Sequence, residues 1–373
     1  MFFMRNLLGK NVYKIHQWSG LIAGIFIFIM GLSGAVLVWH EDLEALEHRS
    51  RWRVDNQAPV SIDKAYQAIT RQYPNWEIRL QRFSTDPAET LIFSLRRPDR
   101  RLLVFAHPAD GRLLAVQDAT KTFTYWLLHL HYAFHAGLAG SLLVFCIGIL
   151  FCLSLLTGLI TYRKAIGKVL LFRAGFKTKT KRAFASSLHR FVGVWALVLN
   201  LLMVISGLMI SYGIVASGLK TAGVVPGPIA SPPLAFSIDG ALKTLRDRYP
   251  AFRPTYMRFP KTADQPLTVN GTVDGQAFYY SQFYNAATFD RASGQLTGFR
   301  RNTTAAAGPK FDSMMHAIHF VEFGNWLVKL LFGFVGLSAP LVSITGFLLW
   351  QWRKRKLHPQ AALHGPQPVA PGR

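Results

Sequence analysis

The chain has 373 residues, half of them hydrophobic and only 16% charged, with a formal net charge of +23. That balance excludes a disordered chain and points to a membrane protein. The charge would suit nucleic acid by its size, but its placement between apolar segments speaks for a lipid surface instead.

Residues 1–40 are a basic tail and a first membrane helix, with the apolar run Trp18–Trp39 long enough to span at roughly 20 residues. Residues 41–128 form an outer segment. In it "SIDKAYQAITRQYP" places Ile62, Ala65, Tyr66, Ile69 and Tyr73 on one helical stripe after a Ser61 cap. "ETLIFSLRRP", "RRLLVFAHP" and "GRLLAVQ" then read as short strands. Residues 129–162 carry the second span, Gly137–Tyr162, and 163–188 a basic loop. Residues 189–214 carry the third span, Phe191–Tyr212. Residues 215–315 are a second outer segment, with a helix in "SIDGALKTLRDRYP" and strands in "QAFYYSQFYN" and "GQLTGFR". Residues 316–352 hold the fourth span, Trp326–Trp350, and 353–373 a basic tail.

Residues 1–14, 163–190 and 353–373 carry three, nine and five Lys/Arg and no Asp or Glu, while all 19 acidic residues lie in 41–128 and 216–329. The positive-inside rule therefore puts both termini and the 163–188 loop in the cytoplasm, the outer segments beyond the membrane, and makes nucleic acid an unneeded partner. Cys146 and Cys152 share one span, form no CxxCH and read as packing residues.

The chain repeats itself. His16, Gly20, Ser33 and Gly34 recur 173 positions later as His189, Gly193, Ser206 and Gly207. His131, Thr157 and Gly158 recur 188 positions later as His319, Thr345 and Gly346. The two "SID" helices and Arg82-Phe83 with Arg258-Phe259 repeat at 176. The fold class is thus a membrane α-helical protein. Four spans arise from a tandem helix–domain–helix repeat about a pseudo-two-fold axis, with two small α+β outer domains.

Paired histidines at span mouths suit a six-coordinate haem iron, which needs one axial ligand on each porphyrin face. His16 with His189 is one candidate pair and His131 with His319 the other. His135, four residues after His131, and His316, three before His319, lie on the same helix faces as the second pair, and either of them or His40 is an alternative ligand, the unpaired ones being candidates to hydrogen-bond a haem propionate or a bound substrate. His129 belongs to the same outer cluster, whereas His48, His107, His358 and His364 read as surface residues. Gly20, Gly34, Gly193 and Gly207 would let a flat macrocycle approach or, equally, let helices pack. Zinc would need three or four ligands, a count that the outer cluster could meet but the inner pair could not, and no GxGxxG or GxxxxGK[ST] marks a nucleotide site. Lys329 is deep for a lysine but near the outer end of its span, from where its side chain could snorkel.

"IHQWSGL", "LLHLHYAFHAG", "MHAIHFVEFGNW" and the repeated "SIDxAxxxxxxxYP" resemble the PepSY-associated transmembrane family over about residues 10–356. Within it the chain is similar to the FoxB-type inner-membrane siderophore-iron reductases. The resemblance implies PepSY-like periplasmic domains, two b-type haems, and iron release from a ferric siderophore or other iron chelate. It leaves the electron donor, cytoplasmic or quinol, unidentified. Arg82, Arg258, Arg300 and Arg301 with Tyr279, Tyr280 and Tyr284 are candidates to line a chelate site. A non-enzymatic binding or regulatory protein, and a transporter of haem or iron chelate, are the competing readings.

Overall fold

A computed structural model describes residues 2–224, 227, 231, 233–262 and 264–357. The first repeat begins with the long helix α1, Phe2–Leu37, and a short α2, His40–Glu47. Helix α3, Ile62–Gln72, leads into strands β1 to β4, Glu77–Arg82, Leu91–Arg96, Arg101–Ala106 and Leu113–Asp118. Helix α4, Phe123–Ala133, turns into the membrane-length α5, Gly137–Tyr162. After a short α6, Ile166–Leu170, the second repeat opens with α7, Lys181–Trp195, and α8, Leu197–Thr221. It continues through α9, Ile238–Arg248, and strands β5 to β8, Phe252–Arg258, Leu267–Val273, Asn285–Phe289 and Leu296–Arg300. Helices α10, Ala307–Phe320, and α11, Trp326–Leu357, complete it.

Among the described residues four helices are long and apolar enough to cross a membrane, at Lys10–Leu37, Gly137–Tyr162, Leu197–Thr221 and Trp326–Lys354. The chain is a multi-pass membrane protein. The third span departs from the sequence reading: the helix breaks at Ala196, and the crossing segment then runs past Tyr212 to Thr221. His189 therefore sits on α7, a separate helix with a Thr180 side-chain cap. The aromatic Tyr212 looks like an anchor, yet the residues after it stay apolar enough to keep the helix going.

The chain forms two compact units. The first holds residues 1–35, 143–208 and 333–373. Small residues set its packing: a side chain at Gly31 would meet Pro340 and the Gly336 carbonyl, and one at Gly336 would meet Ala35. α1 and α11 thus touch backbone to backbone, as small-residue stripes in membranes allow.

The second unit holds residues 36–142 and 209–332. Its strands form one antiparallel sheet in the order β4-β3-β2-β1-β5-β6-β7-β8. Each repeat supplies a four-stranded meander, and the two meet where Arg79 pairs with Arg258 and Leu80 with Met257. α3 and α9 cover one face, burying Tyr66, Ile69, Leu80 and Phe93 together with Ile238, Leu245, Met257 and Phe289 in a common core. Tyr66 stacks on Phe259 at 4.2 Å, so this core crosses from one repeat to the other. Lys329 pairs with the exposed Asp42 at 2.6 Å.

The two "SID" helices cap each other. Asp239 accepts from the Ser61 hydroxyl at 2.8 Å and from the Ile62 and Asp63 amides at 3.0 and 3.4 Å. Asp63 accepts in return from the Ser237 hydroxyl at 2.6 Å and the Ile238 and Asp239 amides at 2.7 and 3.2 Å. Each carboxylate thus satisfies amides at the other helix's start, where unpaired N–H groups and the helix dipole favour negative charge.

The segment 276–285 is not a strand. It turns through a 3-10 stretch at Gln282–Tyr284, capped by the buried Ser281, and only from Asn285 does it join the sheet. Its aromatic run mimics β composition without alternating burial.

Candidate functional site: two histidine pairs

In the first unit His16 of α1 faces His189 of α7, with ring centroids 6.3 Å apart and planes at 74°. Nδ1 of His16 donates to the Ser154 carbonyl at 2.9 Å. Nδ1 of His189 donates to the Val342 carbonyl at 3.1 Å and to Oγ1 of Thr345 at 3.0 Å. Ser154 and Val342 occupy the same position in the two repeats. A carbonyl only accepts, so each Nδ1 carries a proton, and in the neutral ring that leaves Nε2 as the atom with a lone pair. This is how ligand histidines are oriented elsewhere.

Glycine makes the fit possible. A Cβ on Gly158 would lie 3.1 Å from Cε1 of His16, and one on Gly346 would lie 3.3 Å from Cε1 of His189. Of the glycines expected to admit a macrocycle, Gly193 faces open space and Gly20 abuts Oγ of Ser154 at 3.2 Å. Both line a cavity of about 440 Å³, walled by apolar residues such as Leu21, Ile27, Phe151 and Leu197, which also contains both histidines. Cofactor sites usually measure roughly 300–1,000 Å³.

In the second unit His131 lies in the last turn of α4 and His319 in the last turn of α10, with centroids again 6.3 Å apart and planes at 46°. Both helices stop in left-handed backbone, at Phe134 (φ 46°) with His135 (φ 57°), and at Val321 (φ 53°). Such conformations cost a non-glycine residue on the order of 1–2 kcal/mol. They end each histidine-bearing helix just before the span that follows.

The neighbouring histidines have other partners. His135 lies beside Trp126 and His129, at 5.5 and 6.3 Å. His129 also stacks on Tyr125 and contacts the Tyr132 hydroxyl, and burial, with Arg101 behind it, pushes it down to about 4. Nδ1 of His316 bonds Glu322 at 2.8 Å, and the Ser281 hydroxyl donates to the same carboxylate at 2.9 Å. His40 bonds the Leu37 carbonyl at 3.2 Å. His48 is a correction: it is buried against Phe105 with Nδ1 lacking a hydrogen-bond partner, not a surface residue. His107, mostly covered, bonds Asp110, and His358 and His364 lie outside the described residues.

The arginines named for a chelate site do not share partners. Arg82 covers Trp52, Arg258 lies over Tyr256, Arg300 bonds the Tyr284 carbonyl, and Arg301 packs on Tyr249 and Phe299. Tyr279 and Tyr280 contact each other, and Tyr284 lies near His316.

Among the described residues no group of three or more His, Cys, Asp or Glu could hold a metal ion, which disfavours a tetrahedral zinc. A two-ligand pair suits an iron whose other four ligands come from a macrocycle. Metal–imidazole bonds of about 2 Å on both sides would set ring centroids on the order of 6 Å apart. Both pairs have that spacing.

No curated protein matches the chain. The family model for the PepSY-associated TM region matches residues 13–354, from just before His16 to three residues before the end of α11. The chain therefore belongs to the PepSY-associated transmembrane family.

Proposed function

We propose that the chain is a two-haem, b-type transmembrane oxidoreductase of a bacterial inner membrane, passing electrons outward to a ferric siderophore so that its iron is released. One observation carries the reading: two histidine pairs, each drawn from equivalent positions of the repeats, with the same 6.3 Å separation. Haem supplies reversible one-electron transfer when bound. His16, His189, His131 and His319 would hold it from both faces. The carbonyls of Ser154 and Val342 fix two of those rings, and the apolar wall of the cavity keeps water away. The absence of CxxCH favours non-covalent binding. The basic termini and 163–188 loop support a cytoplasmic side for the first pair and a periplasmic side for the sheet. With a quinol donor the balance is simple: one quinol becomes quinone, releases two protons, and reduces two ferric chelates.

Purified protein should give a pyridine haemochrome of b type with two haems per chain. In proteoliposomes with a reductant trapped inside, an external ferric siderophore should yield ferrous iron to an external chelator. Colourless protein from haem-replete cells would overturn the haem assignment. A two-haem protein that reduces no ferric chelate would remove the acceptor and favour a binding or regulatory role.

A further inference from the structure

Arg182, Arg190 and Arg353 line the cavity that contains His16 and His189. Arg190 donates to the Ser186 carbonyl at 3.0 Å and lies 3.4 Å from Oγ of Ser187. Arg353 donates to the Tyr13 hydroxyl at 3.0 Å and covers that ring. None of these partners is an anion. The first unit, residues 1–35, 143–208 and 333–373, contains no Asp or Glu side chain to pair with them. Arg190 is half-buried and Arg182 and Arg353 are exposed, so three guanidinium groups without an acidic side chain beside them line the cavity, where an anionic ligand can pair with them.

Helical spacing ties these arginines to the histidine pair. Arg182 precedes His189 by seven residues on α7, and Arg353 follows Gly346 by seven on α11. Seven residues are about two turns, so each arginine shares a helix face with a residue of the pair or its packing glycine. The ligand histidines come from both repeats, but these arginines come from one. The first-repeat positions matching Arg182, Arg190 and Arg353 are Gly9, Gln17 and Ala165.

Resting on the haem reading above, the geometry points to Arg182, Arg190 and Arg353 as the anchor for the two carboxylates of the haem held by His16 and His189. Arginine pairs with carboxylates through two parallel, charge-assisted hydrogen bonds. The ligands then fix the iron, and the second repeat alone fixes the acidic edge of the macrocycle.

The test uses the full chain carrying His131→Ala and His319→Ala, so that only the first site remains. It is prepared without haem and titrated in detergent with haemin or its dimethyl ester, followed by visible absorbance. The diacid should bind at least about tenfold tighter than the diester. Arg182→Gln with Arg190→Gln and Arg353→Gln should erase that preference, and lysine at the same three positions should restore part of it. Equal affinity for the two forms, or a preference that survives the three glutamines, would overturn the anchor while leaving the histidine ligation intact. Equal affinity with both forms released by added phosphatidylglycerol would make the arginines a lipid-phosphate site and overturn the proposal. Binding of neither form would remove the histidine site itself and the anchor with it.

Discussion

At the scale of single residues, the contact between Gly158 and His16 is the tightest constraint on the first pair. A Cβ there already comes within 3.1 Å of the imidazole, and the γ-carbons of valine would reach further. Gly158→Val should rotate the ring off its carbonyl acceptor and weaken haem retention at that site by about tenfold, the lower end of the range for lost orienting partners. Haem transfer to an acceptor protein would measure it. His16→Ala should remove one of two haems and leave the other's spectrum unchanged; loss of both from a folded protein would refute separate sites. The paired histidines were legible in the sequence because a duplication marks equivalent positions without knowledge of the fold. Their neighbours were not. His135 shares a face with His131 only if the helix continues, and it ends at Ala133 with two left-handed residues following. His316 does share α10 with His319, but Glu322, beyond that helix, holds its Nδ1. Sequence spacing could not foresee that bond. The cavity arginines read as positive-inside topology signals, since nothing local distinguishes a lipid-facing guanidinium from one lining a cavity.

At the scale of elements, α3 and α9 were legible from their stripes and serine caps, but not their reciprocity. Asp63 and Asp239 read as ordinary first-turn acids until the fold brings the two helix starts together. Asp63→Ala removes the acceptor for three donors of the other helix and should destabilise the sheet unit by about 1–2 kcal/mol. Adding Asp239→Ala should cost more than the first change, because the first has already relieved the repulsion between the carboxylates that offsets part of its loss. Burial, then Asp63, raises the Asp239 carboxyl above its ordinary value despite the hydrogen bonds it accepts. The folded state therefore holds this proton more tightly than the unfolded chain. Its contribution is fully present below the unfolded value of roughly 4 and fades as pH rises toward the raised native value. Thermal unfolding in detergent should show wild type losing stability across that window, with a flatter profile for Asp239→Asn. Strands β1, β5, β6 and β7 are not legible in the sequence, having no long apolar run to mark them. The pairing of β1 with β5 is decided by the neighbouring repeat rather than by local composition.

For the whole molecule, the proposed direction of electron flow gives the sharpest expectation. His16→Ala should stop reduction of an external ferric siderophore by an internal reductant, yet spare reduction of the haem at His131 and His319 by a reductant added outside. Equal transmembrane rates in wild type and variant would remove the reductase reading. The span count and the duplication were plain from the sequence. That the two outer segments would share one sheet was not, because the joining edge is only two residue pairs long.

That short seam looks backward in time. A strand pair that matches Arg79 to Arg258, and two helices whose acids cap each other, are self-complementary surfaces: each half offers what the other needs. Such a chain reads as a homodimer whose subunits were later joined end to end through the basic loop. The first half alone, residues 1–170, should therefore associate with a second copy of itself, Asp63 of each capping Ser61 and Ile62 of the other. Analytical ultracentrifugation of that half in detergent should find a dimer, and Asp63→Ala should shift it toward monomer. A half that stays monomeric at every concentration would mean the two repeats have diverged too far to recover the ancestral symmetry.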